Sequence, residues 1–331
     1  MATQILSPAA AYAAVTTGCG VLDRSPSGKL AIGGDQAREF LAGQVSNDTE
    51  TLVPGTGCYA ALLDNKGKMQ GDLRVVRTPD GGELLLLCER VALQALFDAL
   101  RRSIVGWRAE LHKRTVQQAL LSLIGPSARA VAGAADLPGT EHAGAVAALA
   151  GHDALIVTTD LGVDVVCAAD ARDAVWAELV DRGAVAIDEQ TAELRRVESG
   201  RPRYGVDLDS SVIPQEAGLN ERAVSFTKGC YVGQETVARL FYRGKPNRHL
   251  RGLLLDRPVT AGTQLHGPPK PDGTPSRVLG TITSVAHSPV HGPIALALVR
   301  REAAVGDTIT AADGTPARVV ELPFAPRDDA A

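Results

Sequence analysis

The side chains best suited to chemistry lie in one run of eight near residue 230. In order they are Lys228, Gly229, Cys230, Tyr231, Val232, Gly233, Gln234 and Glu235. Two glycines let the backbone turn tightly or come close to a ligand. Residues 234–242 have a helical pattern, so unpaired N–H groups and the positive end of the helix dipole would face Cys230. With Lys228 alongside, these conditions favour a thiolate, although free cysteines are also among the residues most often buried.

Two carboxylates are the other candidates for chemistry. Glu198 lies at the end of a predicted helix that Asp188 caps, and a carboxylate can accept two adjacent N–H donors at once. The alternative is a glutamate on the surface, which the negative end of the helix dipole would disfavour. Asp72 follows a predicted hairpin, and its alternative is an aspartate on a strand edge.

The run from Lys228 to Glu235 resembles the signature K-G-C-[YF]-x-G-Q-E of the YgfZ family of folate-binding proteins. That family is related to the glycine-cleavage T-protein, an aminomethyltransferase, and acts in maintaining iron–sulfur enzymes. Other segments are similar to runs of the same superfamily, namely residues 44–48, 72–75, 195–200 and 213–220. The resemblance implies tetrahydrofolate, or a derivative of it, as cofactor.

The resemblance also implies roles for particular residues. Glu198 falls on the glutamate of the R-x-E-x-G run and would hold the pterin ring. Asp72 falls on the catalytic aspartate and would lie near the reactive nitrogens of the folate. Cys230 and Lys228 would carry any chemistry or cluster transfer. The remaining folate contacts that we predict are Gln44, Asn47, Tyr204, Tyr231, Gln234 and Arg239, together with Asp72 and Lys228.

Several roles stay open at this stage. The polar run at 43–48 could equally close the end of a helix, and Cys230 could be a buried thiol or could line a ligand pocket. A basic stretch follows the signature: Arg239, Arg243, Lys245, Arg248 and Arg251. It could attract the glutamate tail of a folate or an acidic partner, or it could be a solvated surface.

We therefore predict a tetrahydrofolate-binding protein that supports iron–sulfur cluster assembly or repair in client enzymes, and not a standard aminomethyltransferase. One alternative is a folate-dependent one-carbon transferase or demethylase of the T-protein type, which Asp72 favours and the thiol signature disfavours. A second alternative is an accessory factor in tRNA modification. The predicted partners are folate and iron–sulfur client or assembly proteins.

Composition sets further limits. The chain is 45% hydrophobic and 22% charged, and its net charge of −4 disfavours direct nucleic-acid binding. The cysteines are scattered and odd in number: Cys19, Cys58, Cys88, Cys167 and Cys230. This spacing predicts no disulfide framework and no metal site, and it favours a reducing, cytoplasmic location. No apolar run approaches the roughly 18 residues that cross a membrane, and we expect a monomer.

The fold class predicted is α+β, with two ferredoxin-like modules and a small C-terminal β-barrel, as in the clover-like T-protein arrangement. The first module is expected to span 1–115 and to be completed by an interdomain loop and the signature at 201–240. The second is expected to span 116–200 and the barrel 245–323, followed by a tail at 324–331.

Local signals give the expected elements of these modules. Residues 20–23 and 29–32 are predicted as two strands joined by a turn, Asp35 as the N-cap of the next helix, and 135–151 as a loop. The turn from Asp64 to Gly67 predicts a hairpin between strands at 58–63 and 69–77.

Overall fold

The computed structural model describes residues 6–267 and 276–325. Its helices are α1 Pro8–Thr17, α2 Ala37–Gln44, α3 Leu93–Ser103, α4 Ala128–Val131, α5 Arg172–Asp181, α6 Glu189–Glu198, α7 Asn220–Ala223 and α8 Gln234–Arg243. The first eleven strands are β1 Gly20–Asp23, β2 Gly28–Gly33, β3 Gly57–Leu63, β4 Met69–Arg77, β5 Glu83–Cys88, β6 Glu110–Lys113, β7 Gln118–Ile124, β8 Gly144–Leu149, β9 His152–Thr158, β10 Gly162–Ala168 and β11 Val185–Ala186. The others are β12 Arg248–Leu255, β13 Gln264–His266, β14 Val278–Ser288, β15 Gly292–Arg300, β16 Thr308–Ala311 and β17 Pro316–Val320.

The chain forms two compact units that interleave in sequence. The first runs to Ala192 and also contains Glu221–Gln234. The second contains Glu193–Asn220 and the chain from Glu235 onward. The signature run is therefore divided, since only Glu235 belongs to the second unit. The predicted boundaries of the three domains stay a prediction.

A five-stranded antiparallel sheet in the first unit carries Asp72. Its strand order is β3-β4-β5-β2-β6. The predicted hairpin is confirmed, because β3 and β4 pair and the carboxylate of Asp64 accepts from the backbone N–H groups of Lys66 and Lys68, both at 2.8 Å. Helix α3 covers this sheet with Leu93, Leu96 and Leu100, as their helical spacing predicts. Asp72 thus lies on the second strand of the sheet.

A six-stranded sheet forms the rest of the first unit, in the order β11-β1-β7-β10-β9-β8. The turn between β1 and β2 does not close a hairpin, because β1 pairs with β7 and β11 and β2 pairs with β5 and β6. The two sheets meet at a small apolar cluster of Leu85, Leu87, Leu120 and Val166. Chain order alone therefore does not assign each strand to its sheet.

Two local predictions in the first unit are wrong. Asp35 does not cap α2, which begins at Ala37 after Gln36 and has no side-chain cap bond. The start of this helix is fixed from outside, because Gln36 exchanges hydrogen bonds with the backbone of Arg108 at 3.1 and 3.0 Å. Residues 135–151 are not all loop, because β8 forms by pairing with β9 although alanine and glycine are poor strand formers.

The second unit contains a closed six-stranded barrel in the order β12-β15-β14-β13-β16-β17. Its interior is filled by small and branched residues that alternate along the strands, among them Leu253, Ile282, Val299 and Val319. The predicted barrel is confirmed, and β13 is the strand that the sequence did not indicate. Before the barrel, Asp188 caps α6 as predicted, accepting from the backbone N–H of Thr191 at 2.8 Å.

Candidate functional site

Asp72, which is buried, and Tyr59, which is half-buried, form an acid pair on adjacent strands. Asp72 lies opposite Ala61 and Tyr59 opposite Arg74 in the β3–β4 register, so the four side chains share one face of the sheet. Tyr59 Oη donates to Asp72 Oδ2 at 2.5 Å. Asp72 is buried, with 6% of its surface exposed. The pair is fixed by the register of the hairpin.

The electrostatics of this pair suit proton transfer near neutral pH. Burial raises the pKa of Asp72 to about 6, and the nearby Glu89 acts in the same direction. The hydrogen bond from Tyr59 and the charge of Arg222 oppose this rise. Burial and the adjacent carboxyl hold the pKa of Tyr59 well above its ordinary value, so the shared proton stays on the phenol. Asp72 can therefore act as a proton acceptor.

A layer of polar groups supports the pair. The guanidinium of Arg222 lies 5.1 Å from the centre of the Tyr59 ring and forms an ion pair with Glu141. Among the described residues, Nε of Arg222 is buried and has no hydrogen-bond partner. This arrangement leaves one N–H donor in the interior, close to the phenol that contacts Asp72.

The polar run after α2 fixes this layer in place. Asn47 Nδ2 donates to the carbonyl oxygens of Tyr59 and Arg222, at 2.8 and 3.1 Å. Ser46 Oγ donates to the Ala223 carbonyl at 2.5 Å and accepts from the backbone N–H of Ala61 at 2.9 Å. The Asn47 amide thus joins β3 to the segment before the signature. Gln44 is the last residue of α2 and is half-buried.

The signature run holds a half-buried amine. Lys228 Nζ donates to the carbonyl of Ala42 near the end of α2 and lies 4.6 Å from the centre of the Tyr231 ring. Burial lowers the pKa of Lys228 to about 8, while the charges of Asp48, Cys58 and Cys230 act to raise it. Lys228 and Tyr231 are therefore in contact, and Cys230 lies between them in the chain.

Cys230 and the two glycines of the run have different surroundings. All five cysteines are free thiols; Cys230 is exposed and Cys58 is half-buried. Gly233 has φ +83°, and a Cβ there would lie 2.4 Å from the carbonyl oxygen of Asp64. At Gly229 a Cβ would meet nothing within 4 Å. Gly233 thus serves packing against the hairpin, and Gly229 faces open space. A thiolate at Cys230 stays a prediction.

Glu198 is a buried carboxylate in the second unit. It is 8% exposed, so the alternative of a surface glutamate is wrong. Oε1 accepts from Ser288 Oγ at 2.6 Å, and Oε2 accepts from Arg195. Ser288 and Arg195 therefore fix the orientation of this carboxylate in the interior.

The remaining predicted residues of the second unit are more dispersed. Tyr204 is half-buried and bridges to Leu208, and Arg239 is exposed on α8. The basic stretch is not uniform, because Arg248 pairs with Glu216 at 2.9 Å and Arg251 with Glu321 at 3.3 Å.

Within residues 6–267 and 276–325, no group of three or more His, Cys, Asp or Glu could hold a metal ion.

Sequence reasoning missed three residues that contact or support Asp72: Tyr59, Arg222 and Glu141. The first could have been found, because the predicted hairpin turn sets the register that places Tyr59 on the face of Asp72. The other two, at positions 141 and 222, come from segments far beyond the hairpin in sequence. No local signal connects them to the hairpin.

The architecture is that of an α+β protein with one antiparallel sheet, one mixed sheet and a C-terminal barrel. A solved structure with this fold is the glycine cleavage system aminomethyltransferase T from Bartonella henselae. It has a TM-score of 0.84 and 24% identity, and the match covers 98% of this chain and 91% of that chain. The predicted T-protein-like fold is confirmed.

Family comparisons agree with the fold. Residues 7–228 match the GCVT N-terminal domain, and residues 248–325 match the glycine cleavage T-protein C-terminal barrel domain. The chain is 30% identical over 343 residues to an aminomethyltransferase of Streptomyces coelicolor, covering 95% of this chain and 88% of that protein. An aminomethyltransferase of Synechococcus is 28% identical, with 98% and 92% covered. The chain belongs to the glycine cleavage T-protein (GCVT) family.

Proposed function

We propose that the protein is a tetrahydrofolate-dependent one-carbon transferase or demethylase of the GCVT type. The observation that carries the proposal is the hydrogen bond from Tyr59 to the buried Asp72, within the domain that matches the family. The family membership, shown by domains and by relatives named aminomethyltransferase, supports this alternative over the iron–sulfur role that the signature alone favours. Tetrahydrofolate would supply a nitrogen nucleophile that accepts the one-carbon unit.

The chain's own residues have separate tasks in this proposal. Asp72 would take up a proton near the reacting nitrogen, because its pKa of about 6 suits proton exchange near neutral pH. Tyr59 would orient that carboxylate through its hydrogen bond. Glu198 would hold the pterin edge with a carboxylate that Ser288 and Arg195 orient.

A transfer assay tests the reaction. The purified chain is incubated with an aminomethyl-loaded lipoyl carrier, with and without tetrahydrofolate, and ammonia and methylene-tetrahydrofolate are measured. We expect folate-dependent release, and we expect Asp72→Asn to lower its rate by about 10²- to 10⁴-fold, the usual contribution of a general base. Asp153→Asn removes an exposed aspartate of the same unit and serves as the control. Absence of folate-dependent release by the wild-type protein contradicts the proposal.

Folate binding is tested separately by calorimetric titration with tetrahydrofolate. Glu198→Gln keeps the size of the side chain but replaces one acceptor oxygen by an amide, so we expect at least a tenfold weaker affinity, about 1.4 kcal/mol. Glu221→Ala, at an exposed glutamate, should bind as tightly as the wild type. Equal affinity of the Glu198→Gln protein would remove Glu198 from the binding site.

A second candidate function is support of iron–sulfur cluster assembly or repair in client enzymes. The observation that favours it is the exposed thiol of Cys230 within a run that resembles the YgfZ signature. A knockout strain should lose iron–sulfur enzyme activity, which the wild-type gene should restore and Cys230→Ser should not. Val232→Ala, at an exposed neighbour of the thiol, serves as the control. Full rescue by Cys230→Ser would exclude a role for the thiol.

A further inference from the structure

The amine of Lys228 is fixed in position by the fold. It donates to one of the last four carbonyls of α2, where helical N–H donors are lacking and the dipole favours a cation. The face of the Tyr231 ring lies 4.6 Å from Nζ and provides a cation–π contact. These two contacts restrict the rotamers of the lysine side chain, so its nitrogen stays close to the neighbouring groups.

The thiol two residues further on is accessible and has space beside it. Cys230 is exposed and stands two residues after Lys228 in the chain. Between them, a Cβ at Gly229 would have no heavy atom of a described residue within 4 Å apart from its chain neighbours. The backbone that links amine and thiol therefore borders room for a small molecule.

The hydroxyl of Tyr231 is a separate indication of a ligand. The residue is 7% exposed, and its phenolic oxygen has no hydrogen-bond partner among the described residues. A buried polar group without a partner is unfavourable, so it indicates a group that a ligand would complete. Its ring is the one below Lys228, so the phenol belongs to the residue that contacts the amine.

The amine is also able to act as a nucleophile. Burial lowers the pKa of Lys228 to about 8. At pH 7 the amine is therefore neutral in about one-tenth of the molecules. Neutral lysine amines in partly desolvated sites attack carbonyl carbons and form Schiff bases. An adjacent thiol can then add to the carbon of the Schiff base.

We propose that Lys228 and Cys230 together capture a small aldehyde, and that its class is a one-carbon unit at the oxidation level of formaldehyde. The choice of a one-carbon unit rests on the proposed folate-dependent function; the pairing of amine and thiol does not. The amine nitrogen adds to the carbonyl carbon, and the resulting carbinolamine loses its hydroxyl as water. The Cys230 sulfur then bonds to the same carbon and gives N–CH₂–S. One water leaves, the thiol proton is released as the amine is restored, and no oxidant is required.

The test uses the full-length protein without folate and ¹³C-formaldehyde at one equivalent, followed by intact-mass measurement and tryptic mapping. We expect a mass gain of about 13 Da from the labelled carbon, stable to desalting, because a methylene bridge replaces two hydrogens. It should map to the peptide Ala223–Arg239 with no cleavage after Lys228. Lys228→Arg, which keeps the charge but forms no Schiff base, should abolish the adduct.

One further variant and one internal comparison make the result decisive. Cys230→Ser should form only a labile adduct, which borohydride converts to methyl-lysine at position 228. Lys29 has a pKa that burial also lowers to about 8, but it is fully buried and donates to the Ser25 and Ser27 carbonyls, so its peptide should stay unlabelled. A label spread over exposed lysines, or a stable adduct in Cys230→Ser, would overturn the proposal. This labelling test contains no folate, so a negative result does not change the outcome of the folate titration or the transfer assay. In the same way, a negative result in those two assays does not change the outcome of the labelling test.

Discussion

At the scale of single residues, the properties of Asp72 come from burial more than from any one partner. An aspartate on a sheet face would be ionised well below pH 5 if it were solvated. Loss of water raises its pKa to about 6, and Tyr59 limits the rise by donating to the ionised form. The structure therefore keeps a carboxylate that is costly to bury, which is common where a group serves function.

The stability of Asp72→Asn should reveal this cost. Because the folded protein holds the proton more tightly than the unfolded chain, the carboxyl favours folding below its ordinary pKa of 3.8, and this advantage is lost as pH rises through about 6. At pH 7.5 the ionised form should cost about 3 kcal/mol, so Asp72→Asn should unfold at higher urea concentration than the wild type. At pH 4 the two should be nearly equal.

The control for that experiment is Tyr59→Phe. It removes the donor to Asp72 and should lower the free energy of unfolding at pH 7.5 by about 1–3 kcal/mol. If Asp72→Asn were less stable than the wild type at pH 7.5, the carboxylate would be a structural group and its raised pKa would be wrong.

At the scale of elements, the signature run packs against the β3–β4 hairpin through Gly233. Gly233 approaches the hairpin so closely that a side chain there would meet the Asp64 carbonyl and Leu63. Its positive φ is a second reason for glycine, since other residues rarely adopt it. The same turn that sets the register of Tyr59 and Asp72 therefore also positions the run that carries Lys228 and Cys230.

The two glycines of the run form a matched pair for mutation. Gly233→Ala should lower the free energy of unfolding by about 2 kcal/mol or more, because both the backbone angle and the contact with Asp64 are unfavourable. Gly229→Ala should change it by less than about 0.5 kcal/mol, because open space surrounds that position. Urea unfolding curves give both values, and equal losses would show that the run does not lie on the hairpin as described.

At the scale of the whole molecule, each unit has its own core and its own buried ionic group. In the first unit, Arg74 pairs with Asp164, which also accepts from Ser122 at 2.5 Å. In the second, Arg196 of α6 pairs with the fully buried carboxylate of Asp207 at 2.7 Å and donates to Ser284 of the barrel at 2.6 Å. These groups join segments that are distant in sequence.

Loss of Arg196 should therefore destabilise the second unit strongly. Arg196→Met leaves the Asp207 carboxylate buried without its cation, and we expect a loss of about 3–5 kcal/mol in the free energy of unfolding. Asp207→Asn in the same protein should recover part of it, since the uncompensated charge disappears. Arg301→Met, at an exposed arginine, is the control and should have little effect. An additive double mutant would mean that the two residues do not interact.

In the part of the chain that the structure describes, none of the helices is both long enough and apolar enough to cross a bilayer.

The sequence by itself determined the elements whose signals are local. The Asp64–Gly67 turn, the spacing of leucines in α3 and the Asp188 cap act within a few residues, so the pattern predicts them directly. The K-G-C run and the carboxylates at 72 and 198 could be selected because their residue types are rare in combination.

Only the tertiary structure decided what depends on contacts between distant segments. The pairing of β1 with β7 places β1 in the six-stranded sheet, and the pairing of β8 with β9 makes β8 a strand. Tertiary contacts also bury Glu198 beside Ser288 and place Arg222 over the ring of Tyr59. The physical reason is that strand pairing, desolvation and ion pairing are properties of the neighbours that folding assembles. A residue's own chain segment does not contain those neighbours.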